Sequence, residues 1–221
     1  MKVRAIITGA TGMVGEGVLH ECLLHPDVEQ VLVLTRKPCG VTHPKLKEII
    51  LSNFFDLGPI SDQLVNYNAC FFCLGITSIG MKEPEYYHLT YELTLNMAQL
   101  LSIQNKDMVF NYVSGAGTTQ NEKSRSMWIR VKGKTEKELM KLPFKKAYMF
   151  RPGYIQPTKG LKNTQKAYFA ISWMYPALRM LFPKVVCTLK EVGLAMIHTV
   201  TIGHESPILE VKDIVKLANS Q

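Results

Sequence analysis

The stretch VRAIITGATGMVGEG, Val3 to Gly17, decides the fold. A mostly apolar run stops at Gly9, which reads as a short buried strand. Gly9, Gly12 and Gly15 then recur at intervals of three. From Met13 to about His25 the apolar residues follow helical spacing, and Pro26 closes the helix. A glycine triplet by itself means little. Placed between a strand and a helix, it has a physical reading.

In that reading each glycine has a task. Gly9 permits the tight turn off the strand, Gly12 lets a ligand approach the backbone, and Gly15 lets helix and strand pack closely. Thr11, Met13 and Val14 lie where backbone N–H groups at the helix start would face an anion. A dinucleotide pyrophosphate is the ligand this arrangement suits. The end of the second apolar run, VLVLT, selects among dinucleotides. An acidic residue there would bind a ribose 2′-hydroxyl, but the chain continues Thr35–Arg36–Lys37. A guanidinium and an ammonium favour a 2′-phosphate, so NADP is expected over NAD.

Outward from this unit, strands and helices alternate. Further buried strands are expected in KEIIL, in ACFFCLG (Ala69–Gly75), in MVFNYVS (Met108–Ser114) and in KAYMFRPG (Lys146–Gly153). Helical patterns run from about Pro84 to Gln104 and from about Ser126 to Leu142. Another lies near Lys190–Val200, followed by the short strand PILEV and a last helix. Alternation of this kind predicts an α/β fold: a Rossmann-type, doubly wound parallel sheet. The chain is expected to form one domain over 1–221, with about 154–221 contributing a small C-terminal cap and the last sheet elements. Asp56, after the third strand, is a candidate acceptor for an adenine amino group, or the start of an Asx turn. Leu74 and Gly75 end the fourth strand, where a glycine lets the chain pass close to the cofactor.

The 221 residues carry 26 Lys+Arg against 18 Asp+Glu, a net charge of +8. The lysines are spread along the chain, so an acidic cofactor or substrate explains the balance better than nucleic acid does. Five cysteines and an N-terminus without a long apolar core point to a reducing cytoplasm. The aromatic run 167–183 is short for a membrane span and contains Pro176 and Arg179. It reads as a core or capping helix, or as a peripheral membrane or protein contact.

The motifs TGATGMVG, FCLGIT, the serine of VSGAG, VKGKTEKEL and FRPGYI occur in that order from Lys2 to about Pro157. In this the chain resembles the short-chain dehydrogenase/reductase superfamily, in its atypical branch with an extended-type glycine motif. Within that branch it is similar to the Tat-interactive-protein-like NAD(P)-binding group. The resemblance implies an oxidoreductase acting on an unidentified small carbonyl or alcohol. It implies Ser114 as the catalytic serine and Lys132 as the lysine that holds the nicotinamide ribose hydroxyls. It implies Pro152 and Gly153 at the turn beside the nicotinamide carboxamide, and Thr90 near the position of an Asn that helps a proton relay.

The resemblance also places Trp128 at the position of the tyrosine acid, one helical turn before Lys132. Indole donates a hydrogen bond but has no proton to exchange near neutral pH. Loss of a general acid costs about 10²–10⁴ in rate. Three readings follow. Another group supplies the proton, with Tyr86, Tyr87, His88 and Tyr154 as candidates. The protein is a catalytically silent NADP-binding regulatory or interaction module. Or the substrate needs no strong acid. A chance match of helix spacing is the bland alternative.

No metal site is expected. Cys70 and Cys73 form a C-x-x-C, but in an apolar strand residues three apart face opposite ways. Glu16 and His20 read as a surface pair.

Overall fold

The computed structural model describes residues 1–121, 124–163 and 173–220. Alternation of side chains along each strand builds two apolar faces. In β1 (Val3–Thr8) Val3, Ala5 and Ile7 face one way and Ile6 the other. β1 lies between β2 (Val28–Thr35) and β4 (Ala69–Phe72), parallel to both, with Ile6 opposite Leu32 and Cys70. β3 (Leu46–Ile50) extends the sheet beyond β2. β5 (Val109–Val113), β6 (Lys146–Arg151) and β9 (Ile208–Glu210) extend it beyond β4. The order is β3-β2-β1-β4-β5-β6-β9, and every pair is parallel.

Parallel sheets need cover on both faces. One face receives α1 (Met13–Leu24), α6 (Leu189–Thr201) and α7 (Val211–Ala218) through residues such as Leu19, Met196 and Ile214. The other receives α3 (Leu93–Gln104) and α4 (Met127–Leu139) through Leu93, Met97, Leu101 and Leu139. Cys70 belongs to the second face and Cys73 packs against the first, as expected for residues three apart in extended chain. α1 and α6 touch at glycines. A Cβ on Gly17 would lie 2.1 Å from Leu189 Cγ, and one on Gly193 would lie 2.7 Å from Glu21 Cγ.

The helical pattern expected over 84–104 is interrupted. It divides into α2 (Glu83–Tyr87), a wide π turn over His88–Glu92, and α3. Apolar periodicity does not separate a π turn from α-helix, because the chain keeps its face on both sides.

Between β6 and β9 the chain leaves the sheet and forms the cap. β7 (Tyr154–Gln156) pairs in parallel with β8 (Val186–Thr188), and α5 (Tyr175–Leu181) lies between them in sequence. Thr188 and Glu191 then start α6 with a reciprocal capping box, in bonds of 3.0 and 2.7 Å. The strap before the cap is fastened to α1. The Glu16 carboxylate accepts the backbone N–H groups of Lys162 at 2.8 Å and Asn163 at 2.7 Å. Of the aromatic run 167–183, residues 167–172 lie outside the described residues. The remainder exposes Trp173, Met180, Leu181 and Phe182. Among the described residues no helix is long and apolar enough to cross a membrane.

Candidate functional site

In a sheet of this order the chain departs from β1 in opposite directions, towards β2 and towards β4. The carboxyl ends of β1 and β4 therefore open into a crevice, where ligands bind in such folds. The Leu74 N–H donates to Thr8 Oγ1 at 3.2 Å and joins the two strand ends. The glycine loop turns there, and its packing separates the three glycines. Gly9 has φ +73°, and a Cβ on it would lie 2.6 Å from the Cys73 carbonyl oxygen. A Cβ on Gly15 would lie 2.2 Å from the Gly9 carbonyl oxygen. Gly12 is different: its Cβ would meet only that same oxygen, at 3.4 Å. So Gly9 and Gly15 are demanded by protein packing, whereas the space at Gly12 is left open.

Gly12 is also the N-cap of α1, and no side chain caps the helix. The first-turn N–H groups near Met13 and Val14 are thus available to an anion. Thr11 and Gly12 are exposed beside them. A Cβ on Gly75, across the crevice, would meet nothing within 4 Å. Glycine backbone open on both walls, with uncapped amides between, fits a pyrophosphate.

Beyond the loop lies a cavity of about 180 Å³ lined by Arg36, Phe54, Phe55, Leu74, Gly75 and Leu89, among others. The buried Thr35 donates its hydroxyl to the Lys37 carbonyl at 2.7 Å, which shapes the turn presenting Arg36 to the cavity. Lys37 is exposed and does not line it. Asp56 stands outside as well; its Oδ1 accepts the Gly58 N–H at 3.3 Å in an Asx turn. The polar groups at the cavity wall are instead Ser52 and Asn53, which the sequence did not single out.

At the end of β5 a second cluster forms. Its strand neighbour β4 is registered Phe72 against Tyr112, so Ser114 follows on the same sheet edge as Leu74. Lys132 reaches up from α4 and donates to the Ser114 carbonyl at 2.6 Å and to the Val113 carbonyl at 3.4 Å. Ser114 is buried. Its hydroxyl donates to Glu136 Oε1 at 2.6 Å, with the Phe150 carbonyl 3.1 Å away. Glu136 is fully buried and is clasped by Arg151, through Nε at 3.0 Å and Nη2 at 2.6 Å. The remaining arm of Arg151 reaches Glu210 at 3.1 Å. One network thereby ties α4, β5, β6 and β9. Burial pushes the Lys132 ammonium down to about 8, and the Glu136 charge pulls it part of the way back. The Glu136 hydrogen bonds and charge hold Arg151 above its usual range.

Glu136 and Arg151 were not selected from the sequence. A signal existed for each: Glu136 is one helical turn past Lys132, and Arg151 immediately precedes the Pro152–Gly153 turn. Pro152 accepts the Ala116 N–H at 2.8 Å, closing the loop after β5. A Cβ on Gly153 would lie 2.2 Å from the Val185 carbonyl, so the cap crosses there at backbone contact. Similarly, a Cβ on Gly133 would lie 1.9 Å from the Thr119 carbonyl. That glycine lets α4 press Lys132 against the strand end.

Trp128 is half-buried, and a Cβ on Gly117 would lie 4.0 Å from its ring. The candidate proton donors differ in their surroundings. Tyr86 is buried, and burial pushes its phenol up. Tyr87 receives the Lys134 ammonium at 2.8 Å and stacks on Tyr91. His88 bonds Glu92 at 2.5 Å and stacks on Phe55. Tyr154 donates to Gln156 at 3.0 Å. Thr90 is buried within the π turn.

Sheet order, glycine loop and crevice define a Rossmann-type α/β protein. The same fold occurs in Helicobacter pylori ADP-L-glycero-D-manno-heptose-6-epimerase, at TM-score 0.67 and 14% identity over 98% of this chain and 80% of that one. It occurs in the Bordetella bronchiseptica enzyme WbmF, solved in complex with NAD+, at TM-score 0.65 and 16% identity over 99% and 78%. It occurs too in an NADPH-bound carbonyl reductase from chicken fatty liver, at TM-score 0.64 and 15% identity over 96% and 98%. Identities this low show a shared fold. A curated relative, the leucinostatins biosynthesis cluster protein T of Purpureocillium lilacinum, is 26% identical over 182 residues. That match takes in 78% of this chain and 64% of the relative, so the chain spans less than two-thirds of the relative's length. No protein-family model matches the chain.

Proposed function

We propose that the protein binds NADP(H) and acts as an atypical short-chain dehydrogenase/reductase on a small carbonyl or alcohol. The observation that carries this is the contrast among the glycines. Gly9 and Gly15 have no room for a side chain, while a Cβ on Gly12 would meet only the Gly9 carbonyl oxygen, which leaves space that suits a ligand. The amides around Gly12 hold the pyrophosphate. Arg36 takes the 2′-phosphate, which is the reason for preferring NADP to NAD. Lys132 holds the nicotinamide ribose, and Pro152–Gly153 flank the carboxamide. The bound nicotinamide would supply hydride chemistry. Chain residues orient the substrate beside it at the Ser114–Lys132 edge. We place the protein in the cytoplasm.

A second reading is a silent NADP-binding module that docks another protein. It is favoured by Trp128, which has no proton to exchange, and by the exposed residues of α5. Titration of purified protein with NADPH and NADH, followed by NADPH oxidation with a panel of aldehydes and quinones, tests both. Tight NADPH binding with turnover supports the oxidoreductase. Tight binding without turnover on any member selects the module, and no binding of either nucleotide removes both readings. Trp128→Tyr sharpens the comparison: a gain of about 10²–10⁴ in rate shows that the acid alone was missing.

A further inference from the structure

The protons at the end of β5 can be counted. Ser114 has one, and it is committed to the Glu136 carboxylate at 2.6 Å. The serine oxygen therefore meets a substrate as an acceptor, not as a donor to its carbonyl. Trp128 offers an indole N–H that does not titrate. His88 and Tyr154 are bonded elsewhere, Tyr86 is buried, and Tyr87 is stacked on Tyr91 with its hydroxyl oxygen accepting from the Lys134 ammonium. Lys132 has three N–H groups. One is held at 2.6 Å by the Ser114 carbonyl, and a second makes only a long bond of 3.4 Å to Val113. A firm anchor with two loosely engaged N–H groups leaves one for a ribose hydroxyl and one for a reacting oxygen.

We infer that Lys132 is itself the proton donor of the site, taking over the work of the tyrosine that Trp128 replaces. The inference rests on the proposed nicotinamide site. The nicotinamide, when bound in its reduced form, would supply the hydride: its C–H bond would break to leave the oxidised ring, and a C–H bond would form at the substrate carbonyl carbon. The carbonyl π pair moves to oxygen, and that oxygen takes a proton from Lys132 Nζ. The N–H bond breaks and leaves a neutral amine, which regains its proton from water.

The surroundings suit this role. Burial weakens the hold of the ammonium on its proton, and the Glu136 charge, on the same helix, offsets part of that effect. Several other charges on the packed elements are paired among themselves. Arg151 of β6 binds Glu136 and Glu210, Glu83 of α2 binds Arg130, and His88 of the π turn binds Glu92. Lys134, on α4, contacts the Tyr87 hydroxyl and lies over the Tyr91 ring. Tyr86 and Tyr112 are phenols that burial pushes up, so neither adds a charge near Lys132.

Two measurements test the inference. The first is competitive acetylation of the nucleotide-free protein across pH, with each lysine read by mass spectrometry. The Lys132 amine should gain reactivity about two pH units below the surface lysines. Reactivity that tracks the surface lysines overturns the assignment, whatever the nucleotide does. The second compares wild type, Lys132→Arg and Lys132→Met for NADPH affinity and for reduction of phenanthrenequinone. Arginine keeps the charge but gives up no proton at usable pH. Lys132→Arg should bind NADPH within about fivefold of wild type and lose roughly 10²-fold or more in kcat. Wild-type kcat should fall as pH rises past the acetylation midpoint. An arginine variant that keeps its kcat overturns proton donation, whereas wild-type protein that fails to bind NADPH overturns the nicotinamide reading itself.

Discussion

The Ser114 hydroxyl and the Glu136 carboxylate meet at 2.6 Å inside the protein, and Arg151 closes on the same carboxylate from the next strand. Glu136 is fully buried, so its charge depends on these partners. Glu136→Gln keeps the shape and removes the charge. It should lower stability by about 3 kcal/mol, because Arg151 then faces the interior with only the half-exposed Glu210. Denaturant melts read the loss, and a midpoint equal to wild type would show that the network contributes little.

The glycine loop predicts a separation of binding from folding. Gly12→Ala fits the protein at 3.4 Å and leaves the thermal midpoint nearly unchanged, but its methyl enters the phosphate space. NADPH affinity should fall at least tenfold. Gly15→Ala puts a carbon 2.2 Å from the Gly9 carbonyl and should lose both stability and binding. Calorimetric titration beside thermal melts tells the two variants apart.

Arg36 is the basic side chain that lines the cavity beyond the loop, while Lys37 is turned to solvent. Arg36→Ala should weaken NADPH by roughly 10–100-fold, the worth of a charge-assisted contact, and change NADH by little. Lys37→Ala should alter both nucleotides within about threefold. Equal losses for the two nucleotides on Arg36→Ala would place the arginine away from the 2′-phosphate.

Lys132 makes stability depend on pH. In the folded chain its ammonium is held near 8, against a usual 10.5. Between these values the unfolded chain keeps a proton that the folded chain has released. More protons bound in the unfolded state means that stability rises with pH through this window. Wild type should therefore gain on Lys132→Met between about pH 8 and about pH 10.5, as read by urea midpoints. A constant difference across that range would remove the linkage.

Much of this architecture was legible because its signals are local. The apolar runs, the Gly9–Gly12–Gly15 spacing and the alternation of strand and helix each lie within a short window. Lys132 and Ser114 do come together, at the Ser114 carbonyl. What escaped the sequence depends on neighbours brought together by the sheet. Arg151 meets Glu136 because β6 pairs with β5, and neither residue's type announces a partner 15 positions away. Asp56 carries two readings in the sequence, a ligand acceptor and an Asx turn; its Oδ1 makes the turn at Gly58, while Ser52 and Asn53 line the cavity. The π turn at His88–Glu92 is silent in periodicity for the reason that it preserves the buried face.

Glu16 gives the molecule a polar fastening point between the opening helix and the later part of the chain. It sits in the first turn of the helix that would cradle the phosphates, and it grips amides 146 and 147 positions later in the chain. A side chain delivered by the opening motif thus anchors the last quarter of the polypeptide. Its two bonded oxygens also answer to backbone N–H groups, so any replacement at Lys162 or Asn163 other than proline keeps the two donors of the clasp. The attachment of the strap to the cradle is therefore made by backbone and not by the side chains of Lys162 and Asn163.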